Sequence, residues 1–436
     1  MDLNTINSLF DKLFPINRTL MGKGYDESLK ILSKFIDFKY KEYRTSYKAF
    51  DWEVPCEWEI IEGELTDPNG NIICDVKKNY LSVINYSDCF NGKISFKDLQ
   101  KHLYFDKKNP NGIPYVTSYY KKNWGFCLAY NDFINLSDGD YHVNIKSKFK
   151  KGAILIGESF IKGRTKREIL LSSYLCHPSL ANNELSGPIV LAYLYQNLKK
   201  LNLNYTYRFI INPETIGSLC YLSSNFKNLK DNVVGGIVLT CLGGPKQKLS
   251  YKTSKNNNSI LDKFFIRKKL EEKIKIREFD AYGGSDERQY NSNMIDLPIG
   301  QIARTVYGEY DEYHNSNDNK QFMNINQLYK SCKEILKLIL EFDDQDLYFN
   351  PNGYGEIHLG NKGLYPTVSS QIENKKKYGE VLKIITPNMQ KIIMNLLCYS
   401  DSNHSIEDIA LKINEKLDDV KYVNDILISK KLLVKI

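Results

Sequence analysis

The chain begins with two stretches in which apolar positions recur at helical spacing. The first, TINSLFDKLF at residues 5–14, ends at the breaker-rich PINRTLMGKG, and the pattern resumes in residues 25–38. This pattern predicts a helix, a turn and a second helix within residues 1–45.

The pattern changes to short alternating segments between residues 46 and 150. Residues 52–76 alternate apolar and polar positions around the turn sequence DPNGN, which predicts a β-hairpin. All three tryptophans, Trp52, Trp58 and Trp124, fall in this stretch. We therefore predict a β-rich subdomain here.

Four apolar runs after residue 151 predict buried strands that alternate with helices, which is typical of a mainly parallel α/β sheet. Each run is followed at once by polar or glycine-rich sequence. Ligands of open α/β sheets bind beyond the carboxyl ends of the strands, so we expect the four ends to meet in one crevice. The runs are residues 167–176, 205–212, 234–243 and 297–304.

The C-terminal stretch predicts three short amphipathic helices and a final strand, the pattern of a winged helix-turn-helix. Ser405 precedes the second helix as a candidate N-cap, with an acid three residues later. Lysines and acids balance here, and the third helix carries Asp418, Asp419 and Asp425, whereas a DNA-reading helix is basic. We therefore expect this unit to pack or to make oligomer contacts, and not to bind nucleic acid.

Composition and charge narrow the class of protein. The formal net charge of +8 comes from scattered lysines, which favours a basic enzyme surface over a nucleic-acid groove. No apolar run approaches the length of a membrane span, and the start lacks a signal pattern, so we expect a cytoplasmic protein without membrane contact. The nine cysteines include no CxxC pair, which favours buried free thiols in a reducing compartment.

Candidate chemistry is concentrated at the predicted strand ends. His177 follows the first run and precedes Asn182, Asn183 and Glu184, just before the next helix. His314 lies in the tyrosine- and acid-rich stretch YGEYDEYHNSND. Each histidine could be a metal ligand or a structural residue in a capped turn.

Further charges follow the other strands. Glu214 comes directly after an apolar strand and a proline, so poor solvation should raise its pKa toward that of a general base, unless it only caps a helix. Asp286 could bind a metal or orient a ligand, and Glu287 could hold a substrate amine. Arg288 and Arg304 could hold a substrate carboxylate in a bidentate fork, or be structural charges.

Taken together, these stretches resemble an uncharacterised, aminopeptidase-like family of bacterial proteins that are often encoded near polysaccharide-biosynthesis genes. The resemblance covers nearly the whole chain, and long motifs carry it in the same order. The motifs are FPINRTLMGKG, FDWEVPCEW, IPYVTSYYKKNWGFCL, CHPSLANNELSGP, PETIGS, GSDERQY, YGEYDEYHNSND and GNKGLYPT.

The resemblance implies the domain architecture. A zinc-aminopeptidase-like α/β domain, with a mixed, mainly parallel sheet flanked by helices, would occupy residues 1–45 and 151–375. A β-rich insertion would occupy residues 46–150, and a winged helix-turn-helix residues 380–436. The insertion would either cover the crevice as a lid, with Trp124 and nearby tyrosines as contacts, or form a dimer surface.

The resemblance also implies a set of metal ligands. The wider superfamily of zinc exopeptidases binds two metals through a His, a bridging Asp, a Glu, an Asp and a final His. His177 matches the first histidine, His314 matches the last, and Glu214 matches the acidic position. The bridging aspartate falls at Asn183, and the later aspartate falls at the glycine pair 243–244.

The two missing aspartates favour one zinc ion over two, because a bridging carboxylate offsets the repulsion between paired cations. We expect His177, His314 and Glu184 to hold this ion, with water in the fourth place. Zinc would lower the pKa of that water and polarise the scissile carbonyl, and Glu214 would act as the general base.

These features predict a zinc-dependent hydrolase of peptide or amide bonds, an aminopeptidase-like exopeptidase acting on a small peptide or amino-acyl substrate. Three alternatives stay open: carboxypeptidase-like activity, a catalytically inactive peptide- or amino-acid-binding protein on the same fold, and a regulator that acts through the winged helix. The oligomeric state, including a homo-oligomer, is also open.

Overall fold

The apolar runs fold as neighbouring strands of one large sheet. The computed structural model describes residues 1–365 and 387–436. Its strands are β1 Lys39–Arg44, β2 Lys48–Ala49, β3 Trp52–Glu53, β4 Glu57–Thr66, β5 Ile72–Asp75, β6 Phe90–Ser95, β7 Leu103–Tyr104, β8 Phe126–Cys127, β9 Asp140–Lys150, β10 Ala153–Ile161, β11 Glu168–Tyr174, β12 Thr206–Asn212, β13 Val233–Leu239, β14 Ser250–Lys252, β15 Lys275–Arg277, β16 Ile299–Ala303, β17 Leu347–Phe349, β18 Asp401–Ser405 and β19 Val434–Lys435. Its helices are α1 Leu3–Leu13, α2 Lys23–Leu32, α3 Phe96–Leu99, α4 Tyr130–Phe133, α5 Ser186–Leu198, α6 Ile216–Asn232, α7 Ile260–Leu270, α8 Glu287–Tyr290, α9 Ile325–Asp343, α10 Pro387–Tyr399, α11 Ile406–Ile413 and α12 Leu417–Ser429.

The large sheet has eight strands in the order β1, β10, β12, β11, β13, β16, β14 and β15. The central strands β12, β11, β13 and β16 run parallel to one another, and they are the four predicted runs. Strands β1, β10 and β14 add antiparallel pairings. The predicted mixed, mainly parallel α/β architecture is confirmed, and the four carboxyl ends lie at one edge of the sheet.

Helix α5 packs very closely against the centre of this sheet. A Cβ atom on Gly187 would stand 2.1 Å from Ser173 Oγ and 2.2 Å from the carbonyl oxygen of Leu239, so only glycine fits there. One turn of π-helix, Ala181–Leu185, leads into α5. Such turns are frequent at functional sites, and this one carries the polar residues that follow His177.

The chain between β1 and β10 forms the predicted β-rich insertion. Strands β5, β4, β9 and β6 make an antiparallel sheet with its own apolar core. The predicted hairpin is the pair β4 and β5. Asp67 holds its turn by accepting hydrogen bonds from the backbone N–H groups of Asn69 and Asn71, at 2.9 and 2.7 Å.

The C-terminal residues form a winged helix. Strand β17 pairs antiparallel with β18 and β19, and helices α10, α11 and α12 surround one apolar core. Ser405 caps α11 as predicted. Its Oγ accepts a hydrogen bond from the Asp408 N–H at 3.2 Å, and the Asp408 carboxylate accepts one from the Ser405 N–H at 2.9 Å.

The described residues divide into two compact units, Met1–Asn257 with Glu271–Leu340, and Asn258–Leu270 with Glu341–Ile436. Helix α7 therefore belongs to the second unit, whereas the sequence placed it in the α/β domain. Its Arg267 donates to Ser405 Oγ at 2.8 Å and pairs with Asp408. The predicted domain end at residue 375 lies outside the described residues.

No helix in the described parts of the chain is long and apolar enough to cross a membrane.

All nine cysteines are free thiols, as predicted. Cys89 and Cys398 are exposed and Cys56 is half-buried, so the predicted burial holds only for the other six.

Candidate metal centre and active-site crevice

His177 and His314 lie side by side, although they are far apart in the sequence. Their ring centroids are 5.3 Å apart, with 41° between the ring planes. Tyr115, from the insertion, packs edge-on against both rings, with centroid distances of 4.9 Å to His177 and 5.4 Å to His314. The structure therefore brings the two predicted histidines into one crevice at the carboxyl edge of the sheet.

Glu184 fixes the orientation of His177. One carboxylate oxygen accepts a hydrogen bond from His177 Nδ1 at 2.6 Å, and the other accepts one from the His177 backbone N–H at 2.9 Å. Because Nδ1 is engaged, Nε2 is the available nitrogen, and it faces Glu214 Oε2 at 3.7 Å. Glu184, predicted as a direct ligand, is thus placed to orient the imidazole that would bind a metal.

Arg18 is a buried cation close to His177 and to the carboxylate of Glu184. It was not identified from the sequence as a residue of the site. Arg18 Nη2 donates to the His177 carbonyl oxygen at 3.3 Å. Burial lowers the pKa of Arg18 to about 10, although nearby Glu184 and Cys176 raise it. Burial also acts to lower the pKa of His177, but Cys176, Tyr115 and Glu184 outweigh it, so this pKa is raised.

Glu214 reaches the same point of the crevice from the end of β12. Its Oε1 accepts a hydrogen bond from Ser285 Oγ at 2.6 Å, and its backbone N–H donates to Cys176 Sγ at 3.3 Å. Burial raises the pKa of Glu214, while His177 and Ser285 oppose that shift. The following residue, Thr215, has φ of 60°, a strained value for a β-branched residue and typical of functional turns.

Asp286 fastens the loop before α8 to this turn. Its carboxylate accepts hydrogen bonds from Asn212 Nδ2 at 2.9 Å, the Thr215 N–H at 2.7 Å and Ser218 Oγ at 2.9 Å. Burial raises the pKa of Asp286 to about 7, and the nearby Glu214 adds to this shift. Of the two roles predicted for Asp286, these bonds support orientation of the site.

Asp318 connects the loop that carries His314 to the turn that follows His177. This residue was not identified from the sequence either. Its carboxylate oxygens accept hydrogen bonds from the backbone N–H groups of Asn182 at 2.7 Å and Asn183 at 2.9 Å. Burial raises the pKa of Asp318 to about 7. Asp318 is the last residue of the motif YHNSND, but the sequence does not show that its hydrogen-bond partners lie in the turn after His177.

The chemistry around His314 fits one metal ion. Its Nε2 is buried and has no hydrogen-bond partner among the described residues. Burial and the charge of His177 hold the pKa of His314 well below its usual value, which favours the neutral imidazole that a metal needs. His177, whose pKa is raised, must release a proton on binding a metal, and two neutral imidazoles and a carboxylate are then a donor set that suits zinc.

His314 is not among the described residues whose ligand atoms already lie close enough together to share one ion. The described residues whose possible ligand atoms all lie within 4.8 Å of one another are Cys176, His177 and Glu184. An ion held by these three would displace the hydrogen bond between His177 Nδ1 and Glu184. An ion bound at Nε2 of His177, which faces Glu214 Oε2 at 3.7 Å, leaves that bond intact.

The positions expected to hold a second ion do not fit one. Asn183 Oδ1 accepts a hydrogen bond from the Tyr174 hydroxyl at 3.0 Å. A Cβ atom on Gly243 would stand 2.3 Å from Met323 Cγ, so the methionine fills the place of a carboxylate. Neither position therefore supplies the carboxylate expected for a second ion.

Glu287 and Arg304 do not face the crevice. Glu287 is fully buried in an ion pair with Lys252, at 2.6 Å. Arg304 is buried too; its Nε donates to Ser331 Oγ at 2.7 Å, and its guanidinium pairs with Glu334. The substrate contacts predicted for Glu287 and Arg304 are therefore not supported, because both side chains are sealed in the fold.

Arg288 keeps its candidate role. It is half-buried, its Nε donates to the Ser285 carbonyl oxygen at 3.3 Å, and its charge acts on Glu214. It therefore stays available beside the crevice.

The insertion forms one wall of a pocket of about 300 Å³ beside the histidines. It contributes Trp52, Tyr115, Thr117 and Tyr119. Trp124, the expected contact, instead stacks on Phe90 and His102 inside the insertion, with centroid distances of 4.2 and 3.8 Å.

Comparison with known proteins identifies related families. Residues 7–345 match a family described as a domain of unknown function, DUF4910, and residues 346–435 match a winged helix-turn-helix family. A protein of Clostridium acetobutylicum, provisionally named a polysaccharide biosynthesis protein with an aminopeptidase-like domain, is 36% identical over 430 residues. The match covers 98% of this chain and 95% of that protein.

Solved structures agree with this assignment. A crystal structure from Clostridium acetobutylicum, provisionally described as a peptidase, matches with a TM-score of 0.78 and 34% identity, over 100% of this chain and 96% of that one. A zinc aminopeptidase from Bacillus subtilis matches with a TM-score of 0.54 and 12% identity, over 78% and 93%, which shows a shared fold. The chain therefore belongs to the DUF4910 family, and it combines an aminopeptidase-like α/β fold with a C-terminal winged helix.

Proposed function

We propose that this protein is a zinc-dependent hydrolase of peptide or amide bonds, with one ion in the crevice. The observation that carries the proposal is the pairing of His177 with His314, whose ring centroids are 5.3 Å apart. The buried, unpartnered Nε2 of His314 supports it, because an imidazole nitrogen sealed from water without a partner is costly unless it binds something. The aminopeptidase-like fold agrees with this activity.

His177, His314 and Glu214 would hold the ion, and Glu184 would keep His177 in position. The 3.7 Å between His177 Nε2 and Glu214 Oε2 is near the roughly 3.4 Å expected between two tetrahedral ligands of one zinc. When bound, zinc supplies a Lewis acid that polarises a carbonyl and lowers the pKa of water. The aromatic wall of the pocket would exclude bulk water from the reacting bond.

Metal analysis of the purified protein tests this assignment. We expect about one zinc per chain, and loss of zinc to background in His177→Ala and in His314→Ala. Cys176→Ser is the matched control, because Cys176 lies in the crevice but outside the proposed ligand set, and it should retain zinc. Retention of zinc in both histidine variants, or its loss only in the cysteine variant, would contradict the proposal.

Glu184→Gln tests the positioning role separately. The glutamine keeps an acceptor for His177 but lacks the charge, so zinc should bind roughly 10- to 100-fold more weakly without being abolished. Competition with a chelator of known affinity measures this change. Unchanged affinity would show that Glu184 does not tune His177.

Glu214 has a second candidate role, the general base predicted from the sequence. Burial raises its pKa, and Ser285 anchors one of its oxygens. Glu214→Gln distinguishes the two roles. A ligand loses zinc on this substitution, whereas a base keeps zinc and loses hydrolysis.

Carboxypeptidase-like specificity is a second candidate function, and the position of Arg288 beside Glu214 favours it. Peptides blocked at one end or the other separate the two directions. If Arg288 holds a substrate carboxylate, Arg288→Ala should raise KM about tenfold or more for peptides with a free C-terminus and leave amidated peptides unchanged. Zinc binding without hydrolysis of any substrate would favour the inactive binding protein instead.

A further inference from the structure

A second pocket, of about 780 Å³, lies at the opposite edge of the large sheet from the histidines. The end of β10, the starts of β11 and β12 and the last turns of α5 and α6 surround it. The loop of residues 162–167 forms its rim. Neither the proposed hydrolase nor the family comparison gives this pocket a role.

The pocket is strongly cationic. Four exposed basic side chains line it, Lys39, Lys162, Arg164 and Lys166. Of its two acids, Glu168 is paired with Arg208, whose Nε donates to it at 2.7 Å, so only Asp37, which accepts a hydrogen bond from the neutral Tyr195 hydroxyl at 3.0 Å, offsets the four basic side chains. The positive charge facing the pocket is therefore largely uncompensated, which favours an anionic ligand.

The basic loop is held rigidly in place. The backbone N–H groups of Arg164 and Thr165 donate to the carbonyl oxygens of Leu203 and Asn204, at 2.9 and 3.0 Å. A Cβ atom on Gly163 would stand 2.2 Å from a neighbouring carbonyl oxygen, so only glycine permits this approach. Lys162, Arg164 and Lys166 alternate along the loop, and a fixed backbone lowers the entropy cost of using them together.

An aromatic ring lies beside these charges. Phe160 lines the pocket near the end of strand β10 and is 38% exposed, although phenylalanine side chains are usually buried. The guanidinium of Arg208 lies over one face of the ring, 4.6 Å from its centroid, and part of the side chain stays exposed beside the basic loop. A flat ring beside a row of cations matches a ligand that carries both a planar base and phosphate groups.

We propose that this pocket binds a nucleoside diphosphate, with its phosphates on Lys162, Arg164 and Lys166 and its base stacked on Phe160. The proposal is independent of the hydrolase assignment, because none of its residues lies in the histidine crevice. Phosphate groups supply the charge that the basic loop needs. The ring explains why a nucleotide should bind more tightly than inorganic pyrophosphate.

Calorimetric titration of the full chain with ADP and with inorganic pyrophosphate tests the proposal. ADP should bind saturably and about tenfold more tightly than pyrophosphate, because only ADP stacks on Phe160. Phe160→Leu keeps an apolar side chain but removes the flat ring, so it should abolish most of that difference. Lys162→Glu/Lys166→Glu should weaken the binding of both probes about tenfold or more.

Lys107→Glu/Lys108→Glu is the matched control. It lowers the formal net charge of +8 by the same amount, but these exposed lysines lie in the insertion, outside the pocket. ADP affinity should stay within about twofold of the unmodified protein. The proposal is overturned if ADP does not bind saturably, if it binds no more tightly than pyrophosphate, or if both double variants lose affinity equally.

Discussion

Single buried polar residues organise the crevice by holding one another. His177 is oriented by Glu184, Glu214 by Ser285, and Asn183 by Asp318. Each of these groups costs free energy when it is taken from water, and each recovers much of that cost in hydrogen bonds within the fold. The crevice is therefore built before any ligand enters it, which is what efficient chemistry requires.

Asp318 should make stability depend on pH in a direction opposite to that of a salt-bridged acid. Its pKa of about 7 in the folded state lies above the value of 3.8 for a solvated carboxyl, so the folded state binds the proton more tightly. The stabilisation is complete below about pH 4 and is lost as the pH rises through about 7.

Asp318→Asn removes this titration and provides the test. Between about pH 4 and 7.5, the free energy of unfolding of the unmodified protein should fall relative to that of the variant, by up to about 4 kcal/mol. Urea denaturation at several pH values measures the difference. Parallel pH profiles for the two proteins would show that Asp318 does not titrate in this range.

At the scale of elements, the loops beyond the strands carry the chemistry and buried pairs hold the loops. Lys252 on β14 and Glu287 on α8 form one such pair, and Ser285 in the same loop donates to Glu214. The ion pair thus fixes the loop that orients a candidate ligand. The charge of Glu287 in the motif GSDERQY therefore serves to hold this loop, and not to contact a substrate.

Removing one charge of this pair should be strongly destabilising. Lys252→Met leaves Glu287 charged and buried, and should cost about 3–5 kcal/mol in the free energy of unfolding. Lys252→Met/Glu287→Gln removes both charges and should recover much of that loss.

Chemical denaturation measures these effects, with Lys146→Met as the control. Lys146 pairs with Glu62 at 3.8 Å on the surface, where both side chains are largely exposed, so its loss should cost less than about 1 kcal/mol. If Lys252→Met costs no more than Lys146→Met, the buried pair does not hold the loop.

At the scale of the whole molecule, the winged helix raises the question of DNA binding. The exposed face of α12 presents Asp418, Asp419 and Asp425, and such acids repel phosphates. The net charge of +8 is carried elsewhere. All the residues of the histidine crevice belong to the first compact unit. The proposed hydrolysis therefore does not depend on DNA binding by the winged helix.

We expect no saturable binding of duplex DNA by the full chain at about 50 mM salt, where electrostatic binding is strongest. Fluorescence anisotropy of a labelled duplex measures it. A variant with the three aspartates of α12 changed to lysine is the positive counterpart and should gain salt-dependent binding. Salt-dependent binding by the unmodified chain would contradict the prediction.

The pattern of apolar and polar positions predicted most of the longer helices and strands and their order along the chain. Runs such as residues 205–212 are apolar at successive positions because both faces of a central parallel strand are buried. The Ser405 cap and the Asp67 turn were equally readable, because their partners lie within four residues along the chain. Local pattern also located both histidines at strand ends and in loops.

The role of each polar residue depends on neighbours that the folded chain brings together. The tertiary structure placed Glu184 on Nδ1 of His177, sealed Glu287 and Arg304 in the fold, and brought Arg18 and Asp318 to the crevice. Apart from the contact of Glu184 with His177, which are seven residues apart, these contacts join residues that are distant in the chain, at distances of about 3 Å. Such distances depend on how the sheet and its loops close, and no local pattern of apolar and polar positions records them.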